Sequence, residues 1–161
     1  MIRRATPSDH AALMTLINDV IAQPHITFRA APKTDAEIEA LIAGPAWVAE
    51  RDGHVVGYAA YGPFRGSDGY RHTAEHSIAI TDAAHGTGLG RALMSTLEEA
   101  AQRDNIRTLV AGISGSNPAG IAFHTAVGFV PAGTLPNVGY KAGAWHDLIF
   151  MTKALAPAQG A

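Results

Sequence analysis

The sequence predicts a single α/β domain in which helices cover both faces of one mixed central sheet. Three observations support this fold class. Strand-like apolar segments alternate with amphipathic helical segments along the chain. Their predicted order, β-α-α-β-β-β-α-β-α-β-β, is typical of helices packed on a mixed sheet. The chain has 161 residues and contains no internal repeat or linker, which suits one compact core.

Local signals place the individual elements. Thr6, Pro7 and Asp9 give a helix start, with an N-cap, a proline at the first helical position and an acid in the first turn. Gly44 and Pro45 end a second helix. These signals and the apolar spacing predict helices at 6–22, 34–44 and 118–127. A further helix has the apolar face Leu89, Leu93, Leu97, Ala100 and Ala101. Strands are predicted at 2–5, 47–51, 54–61, 74–81, 108–113, 130–134 and 147–152.

Turn-forming residues mark the connections and the end of the domain. Asp52-Gly53 is a strong signal for a two-residue hairpin, and the glycine-rich segment 63–70 reads as a loop. The C-terminal residues lack any apolar pattern. We therefore assign residues 1–154 to the domain and residues 155–161 to a disordered tail.

Composition excludes several kinds of protein. The formal net charge of −2 gives no reason to expect nucleic acid or a membrane surface as a partner. The absence of cysteine excludes disulfides, thiolate metal sites and cysteine nucleophiles. No apolar run is long enough for a signal peptide or a bilayer span, so we expect a cytoplasmic protein.

A glycine-rich turn at 85–90 connects a predicted strand to an amphipathic helix. Backbone N–H groups at a helix start, unobstructed by side chains, can bind phosphate oxygens with help from the helix dipole. The spacing differs from a dinucleotide-binding turn, because Arg91 stands at its third glycine position, and from a P-loop, because no lysine is present. The alternative is a glycine-rich connector without a ligand.

Two motifs resemble the GCN5-related N-acetyltransferases. Gly88 and Gly90 match the pyrophosphate-binding signature Gln/Arg-x-x-Gly-x-Gly/Ala, with His85 at its first position. A second motif follows at the expected distance: Asn117, Gly120-Ile121, Phe123-His124 and Gly128-Phe129. The resemblance implies the acyl-CoA N-acyltransferase fold, and residues 1–154 as its N-acetyltransferase domain.

The resemblance narrows to the phosphinothricin and methionine sulfoximine acetyltransferases. The segments that carry it are ITFRAAPKT, FRGSDGYRHTAEHSIAI, HTAVGF and GYKAGAWHDLIFM, which together with the N-terminal helix span nearly the whole chain. This family implies a homodimer, acetyl-CoA as the donor, and amino-acid-like acceptors such as phosphinothricin, methionine sulfoximine or methionine sulfone.

The same resemblance assigns residues to the two substrates. The implied cofactor-binding residues are Ile78, Ala79 and Ile80 along the pantetheine arm, Gly86, Thr87, Gly88, Leu89, Gly90 and Arg91 at the pyrophosphate, and Asn117 at the pantetheine end. The implied acceptor-binding residues are Phe28, Arg65, Arg71, Glu75, His76 and Ser77. Arg65 is the first choice for binding an acceptor carboxylate, since a guanidinium binds carboxylate through two hydrogen bonds.

The reaction requires a base for the amine and a proton for the leaving thiolate. We expect Glu75 to take the amine proton and His124 to serve the thiolate; the reverse assignment and a water-mediated histidine base remain alternatives. Glu75 could instead face solvent or pair with Arg71, and His124 could be a packing residue. His76 should point to the opposite face of its strand from Glu75. Backbone N–H groups near Ala79 could stabilise the oxyanion.

Other polar and aromatic residues receive less specific interpretations. Arg71 and Lys141 are second choices for the acceptor carboxylate, and for Lys141 we expect a solvated loop residue instead. Tyr140 and Trp145 are expected to pack at the sheet end or a dimer contact. His72 and His76 lie four apart on a probable strand without further ligands, so no metal is expected.

Two other functions remain open on the sequence. The chain could be a coenzyme A-binding module without catalysis, or it could acetylate protein N-termini. The short 63–70 loop favours a small acceptor pocket over an open peptide groove.

Overall fold

The computed structural model describes residues 1–157, and residues 158–161 of the predicted tail lie outside the described residues. The strands are β1 (Ile2–Arg4), β2 (Ala46–Arg51), β3 (His54–Pro63), β4 (Thr73–Ile80), β5 (Thr108–Ser114), β6 (Val130–Lys141) and β7 (Ala144–Ala154). The helices are α1 (His10–Ala22), α2 (Asp35–Ala43), α3 (Leu89–Arg103) and α4 (Pro118–Ala126). This order of strands and helices is the predicted one.

The strands form one seven-stranded sheet in the order β1-β2-β3-β4-β5-β7-β6. Neighbouring strands are antiparallel except for β4 and β5, which are parallel. A parallel pair needs a long crossover, and α3 supplies it between these two strands. The prediction of a mixed sheet is therefore confirmed.

Alternating side chains of β2 belong to two separate cores. Trp47 and Ala49 pack with side chains of α3 on one face of the sheet. Ala46 and Val48 pack with side chains of α1 and α2 on the other face. Because successive strand residues point to opposite faces, both faces of the central sheet are buried. Helices cover both faces, as the sequence predicts.

The first helix begins later than predicted. Pro7–Asp9 forms a 3₁₀ turn, and the α-helix starts at His10. The Asp9 carboxylate accepts a hydrogen bond from the Thr6 backbone N–H at 2.8 Å and two from the Arg3 guanidinium, each at 2.8 Å. This partly buried ion pair closes a tight first turn and joins it to β1.

The last two strands are much longer than predicted. They form a hairpin whose turn residues, Ala142 and Gly143, have φ values of 52° and 76°. Positive φ at both positions is what a type I′ two-residue hairpin turn requires. The prediction ended one strand at 134 because prolines and glycines interrupt the pattern, and the pairing is indeed irregular between Leu135 and Gly139.

The domain packs slightly beyond the predicted boundary at 154. Leu155 belongs to the larger core and its N–H donates to the Arg107 carbonyl oxygen at 2.9 Å. Within residues 1–157, no helix has the length and apolarity needed to cross a bilayer.

Candidate active site

The sheet opens between its two parallel strands. Pairing of β4 with β5 ends at Glu75 and Val110, after which β5 continues beside β7 only. The edge of β4 that faces this opening therefore has no strand partner from His76 to Ile80. A cavity of about 1080 Å³ occupies the opening, which is at the upper end of the size range for small-molecule sites.

The glycine turn lies at one end of this cavity. Gly86 and Gly88 have φ values of +72° and +82°, and no atom lies within 4 Å of where a Cβ on either residue would be. Gly90 is needed for packing instead, because its Cβ would lie 2.9 Å from Ile80 Cδ1 and 3.0 Å from Phe123 Cε2. The first two glycines thus expose backbone to the cavity, and the third allows α3 to begin close to β4.

Most of the predicted cofactor-binding residues line the cavity. These are Ile78, Ala79, Ile80, Gly86, Gly88, Gly90, Arg91 and Asn117. Thr87 and Leu89 do not line it: the Thr87 hydroxyl donates to the Ala84 carbonyl oxygen at 2.6 Å, and Leu89 packs against the larger core.

Asn117 is the N-cap of α4. Its Oδ1 accepts a hydrogen bond from the Gly120 N–H at 3.0 Å. A Cβ on Gly120 would lie 2.6 Å from Asn117 Nδ2, so the glycine makes room for this side chain. The carbonyl end of the amide is therefore used within the protein, while the residue also lines the cavity.

These features fit acetyl-CoA. The turn before the 15-residue helix α3 offers open backbone N–H groups and a helix dipole to a pyrophosphate. The unpaired edge of β4 offers backbone donors and acceptors to an extended amide chain, as a neighbouring strand would. The cavity joins the two sites.

Glu75 and His76 point to opposite faces of β4, as expected. Glu75 is exposed and lines the cavity, whereas His76 is buried. The Glu75 carboxylate lies against β5, because a Cβ on Gly112 would lie 3.0 Å from Glu75 Oε1. This contact removes water from one side of the carboxylate, and the burial raises the pKa of Glu75 above its usual range.

His124 and His76 contact each other directly. Their Nε2 atoms are 3.0 Å apart. His124 Nδ1 lies 2.7 Å from the Gly120 carbonyl oxygen, and His76 Nδ1 lies 3.1 Å from the Val110 carbonyl oxygen. Burial lowers the pKa of both histidines, that of His76 to about 3 with a further contribution from the charge of His124.

The predicted acceptor-binding residues divide into two groups. Phe28, Glu75, His76 and Ser77 line the cavity. Arg65 and Arg71 do not: the Arg65 guanidinium lies 5.3 Å from the centre of the Phe64 ring, and Arg71 Nη1 donates to the Asp68 carbonyl oxygen at 3.3 Å.

Some residues of the cavity wall were not singled out by the sequence. Arg29 lines the cavity, and its guanidinium donates to both Glu37 oxygens at 2.7 and 2.8 Å. Tyr58 lines it beside Ser77, and burial raises the pKa of its hydroxyl despite a hydrogen bond with Ser77. Arg29 lies within the segment ITFRAAPKT that carries the family resemblance, but no role was assigned to it, and Tyr58 belongs to no recognised motif. The folded structure identifies both as wall residues.

The expectation that Lys141 is a solvated loop residue is wrong. Only 8% of Lys141 is exposed. Its ammonium donates to the carbonyl oxygens of Ile21 at 2.5 Å, Gln23 at 2.8 Å and Thr27 at 2.8 Å. Burial lowers its pKa, while three carbonyl oxygens stabilise its charged form. Lys141 thereby fixes the loop after α1 to the end of β6.

That loop carries Phe28 into the cavity wall. The Phe28 ring packs directly on Gly139 of β6, where a Cβ would lie 2.6 Å from three ring atoms. Its centre is 5.8 Å from the His146 ring on β7, in a stacked arrangement. The hairpin β6–β7 therefore holds the acceptor end of the cavity in place. Among residues 1–157, no group of three or more histidine and acidic side chains is arranged to hold a metal ion.

An open parallel strand edge, a glycine turn at a helix start and one cavity between them define an acyl-CoA-dependent N-acyltransferase. Comparison with known proteins agrees. Residues 15–129 match the profile of the family described as "Acetyltransferase (GNAT) family". The chain belongs to this family and is an acetyl-CoA-dependent N-acetyltransferase.

Among curated relatives, the L-methionine sulfoximine/L-methionine sulfone acetyltransferase of Salmonella typhimurium is 44% identical over 71% of this chain and 67% of its own length. The phosphinothricin N-acetyltransferase of Alcaligenes faecalis is 36% identical over 96% of this chain and 82% of its own length. The narrower family resemblance is thus confirmed.

Solved structures show the same fold. The acetyltransferase yncA of Salmonella typhimurium, solved with its cofactor acetyl-CoA, has a TM-score of 0.90 and 36% identity, and covers 100% of this chain and 96% of its own. A structure described as ribosomal-protein-alanine N-acetyltransferase, from Brucella melitensis, has a TM-score of 0.90 and 40% identity, and covers 96% and 99%. The predicted acyl-CoA N-acyltransferase fold is confirmed.

Proposed function

We propose that this enzyme transfers the acetyl group of acetyl-CoA to the amine of a small amino acid or a close analogue, in a ternary complex. The observation that carries this proposal is the continuous cavity from the glycine turn to Glu75 and Phe28. The names of the curated relatives, which act on methionine sulfoximine, methionine sulfone and phosphinothricin, support this class of acceptor.

Glu75 is the proposed base for the acceptor amine. Its carboxylate lines the cavity at the point where β4 and β5 separate, and its raised pKa suits a group that takes up a proton during the reaction. A carboxylate also attracts an incoming ammonium group. Backbone N–H groups of the unpaired β4 edge around Ala79 are suited to stabilise the oxyanion.

Arg65 lies outside the cavity lining, and it stays a proposal as the partner of the acceptor carboxylate because its charge is unmatched among the described residues and its loop follows the strand beside Glu75. Among residues 1–157 its guanidinium makes no ion pair, whereas that of Arg29 is already matched by Glu37. The chain reaches Arg65 three residues after Gly62, which pairs with Glu75 in the sheet. Arg65→Ala should raise the KM for the acceptor and leave the KM for acetyl-CoA nearly unchanged. Equal effects on both constants would argue against this role.

A thiol-release assay tests the acceptor class. Methionine sulfoximine, methionine sulfone, phosphinothricin and an alanine-terminated peptide are compared at saturating acetyl-CoA. We expect release with the three small amino acids and little with the peptide. Faster release with the peptide would favour acetylation of protein N-termini, which the name of the Brucella relative raises. Tight acetyl-CoA binding without release from any amine would indicate a binding module.

We also propose a cytoplasmic homodimer that forms through the hairpin β6–β7. Strand β6 is an edge strand of the sheet. The exposed large apolar side chains of this hairpin are Val130, Leu135, Val138, Tyr140 and Trp145. Exposed apolar side chains along an edge hairpin are a surface that proteins normally cover. Light scattering at tens of micromolar should give twice the chain mass, and Trp145→Glu should give a monomer. A monomeric wild type would exclude this dimer.

A further inference from the structure

The wall of the cavity contains a pair of histidines whose hydrogen bonds can be counted. Each Nδ1 atom faces a backbone carbonyl oxygen, of Val110 for His76 and of Gly120 for His124. A carbonyl oxygen only accepts hydrogen bonds, so both Nδ1 atoms must carry a hydrogen. The two Nε2 atoms then face each other at 3.0 Å.

A neutral pair cannot satisfy this geometry. Two neutral rings carry one hydrogen each, and both hydrogens are needed at Nδ1. The Nε2 atoms would therefore meet as two lone pairs. One additional proton makes an N–H···N hydrogen bond between them, whereas a second would bring two N–H groups together. Three ring protons on four nitrogens are thus the number that satisfies every contact.

We propose that His76 and His124 form a single proton-binding unit, which holds one proton shared between the two Nε2 atoms. This proposal rests on the proposed function and adds His76 to it as a positioning residue. His76 fixes the ring of His124 and sets the pH at which the pair is charged. Both histidines line the same cavity as Glu75, from the opposite face of β4, so the two groups can serve different atoms of a substrate bound between the strands.

The proton balance of acetyl transfer gives the unit a role. As the C–N bond forms and the C–S bond breaks, the nitrogen loses two protons and the departing thiolate gains one. Glu75 accepts the first proton from nitrogen. The histidine pair gives its shared proton to the sulfur and then takes up the second proton from nitrogen. The proton on Glu75 passes to solvent, so one proton is released per turnover.

Few other charges act on the pair. Strand β5 presents only the Val110 carbonyl, since Thr108–Ser114 contains no ionisable side chain, and His124 is the only ionisable residue of α4. The Phe129 ring packs against both histidine rings, with centres 5.1 and 5.2 Å away, and the Phe123 ring packs against that of His124.

The ionisable groups of the neighbouring elements are directed elsewhere. Glu75 points to the opposite face of β4. On α3, Arg91 donates to the Ala126 carbonyl oxygen. Lys153 of β7 pairs with Glu98. Burial without a shared proton would keep both rings neutral at neutral pH, because it lowers both of their pKa values.

Nuclear magnetic resonance of the ligand-free protein with ¹⁵N-labelled histidine tests the proposal directly. We expect both rings to change together in one titration step that takes up a single proton, with Nδ1 of each ring protonated on both sides of the step. Two separate steps, or two neutral rings down to acid unfolding, would overturn it. This measurement needs no substrate, so its failure is distinct from failure of the proposed acetyl transfer.

His76→Gln provides the second test. A glutamine amide can donate to Nε2 of neutral His124, so the extra proton is no longer needed. We expect the pKa of His124 to fall by at least about one unit, and the limb of the kcat–pH profile that reports the acid to move down with it. His72→Gln, which replaces an exposed histidine just before the same strand, is the matched control. An unchanged His124 titration in a folded His76→Gln protein would reduce His76 to a packing residue.

Discussion

The two ends of the cavity are built differently. At the end proposed for acetyl-CoA, the available groups are backbone N–H and C=O groups of a glycine turn and an open strand edge within 78–91 of the chain, with Asn117 added from α4. At the acceptor end, the wall is held by side chains from distant segments, such as Lys141 bonded to the Thr27 carbonyl across 114 residues.

This contrast follows from what each end must recognise. A pyrophosphate and an amide chain have a fixed pattern of charge and hydrogen bonds, which backbone at a helix start and a strand edge can match without any particular side chain. The named acceptors differ from one relative to another, and at this end the wall is formed by side chains such as Phe28, Tyr58 and Arg29. The donor end should therefore respond to backbone changes and the acceptor end to side-chain changes.

The largest expected effect is that of Glu75→Gln. Loss of a proton-transfer group should lower kcat by ~10²- to 10⁴-fold. The affinity for acetyl-CoA should stay within about twofold, because the donor end does not use this side chain. Calorimetry and steady-state kinetics measure the two quantities, and Glu39→Gln on the exposed side of α2 serves as the control. A kcat within a few-fold of wild type would make Glu75 structural.

The pH dependence of the same reaction has a defined sign. With Glu75 as the proposed base, wild-type activity should require its charged carboxylate and should therefore fall as pH falls through a pKa that lies above the ordinary 4.5. In Glu75→Gln the amine must arrive already neutral, so activity should keep rising toward the pKa of the amine. A variant profile that matches the wild-type profile would contradict this role.

Gly88→Val should weaken acetyl-CoA binding and spare the acceptor wall. A β-branched residue at φ +82° is strained by ~1–3 kcal/mol, and its side chain would occupy the open side of the turn. We expect at least a tenfold loss in acetyl-CoA affinity by calorimetry. Gly133→Val on β6 is the control, because a Cβ there also meets no atom within 4 Å and the φ value is not positive. Unchanged affinity in the folded Gly88→Val protein would contradict the donor site.

Lys141→Met should weaken acceptor binding and leave acetyl-CoA binding nearly unchanged, which is the reverse of the effect expected for Gly88→Val. It removes three charge-assisted hydrogen bonds and releases the loop that carries Phe28, so the acceptor KM should rise about tenfold while the acetyl-CoA Kd changes less than about twofold. Lys153→Met is the control. It loses a comparable ammonium bonded to Glu98 and the Val127 carbonyl, away from the acceptor end. If both variants affect the acceptor KM equally, the effect is global destabilisation.

The smallest expected effect is the loss of unfolding free energy when acid protonates Glu37 and breaks its ion pair with Arg29. The Arg29 guanidinium lowers the pKa of Glu37 to about 2, with help from the Thr34 N–H. A lowered pKa means that the pair contributes fully above the ordinary pKa of 4.5 and is lost as pH falls toward 2. Thermal unfolding of wild type and Glu37→Gln should therefore differ by the same small amount at pH 7 and 5, and converge in stronger acid. A difference that changes between pH 7 and 5 would contradict this.

The sequence predicts the features that depend on nearby residues and misses those that depend on contacts between distant segments. The order of elements, the mixed sheet and the glycine turn depend on local spacing, so they could be recognised without the fold. The burial of Lys141 cannot be recognised from local spacing, because its three carbonyl partners lie 114 to 120 residues away. His76 and His124 were each singled out by sequence, but their contact spans 48 residues and needs the packing of α4 on β5. The predicted range of β6 is shorter than the observed strand, because its prolines and glycines are typical of a loop.

The hairpin β6–β7 links acceptor binding to the proposed dimerisation, two properties that are usually measured separately. Lys141 and Gly139 on one strand secure the acceptor loop, and the apolar side chains that we propose as the dimer contact lie on the same hairpin. In the proposed dimer, a second copy that covers this surface should stabilise the hairpin, and with it the wall around Phe28, by mass action. Specific activity at a low acceptor concentration should then fall as the enzyme is diluted below the dimer dissociation constant, while the activity at saturating acceptor falls less.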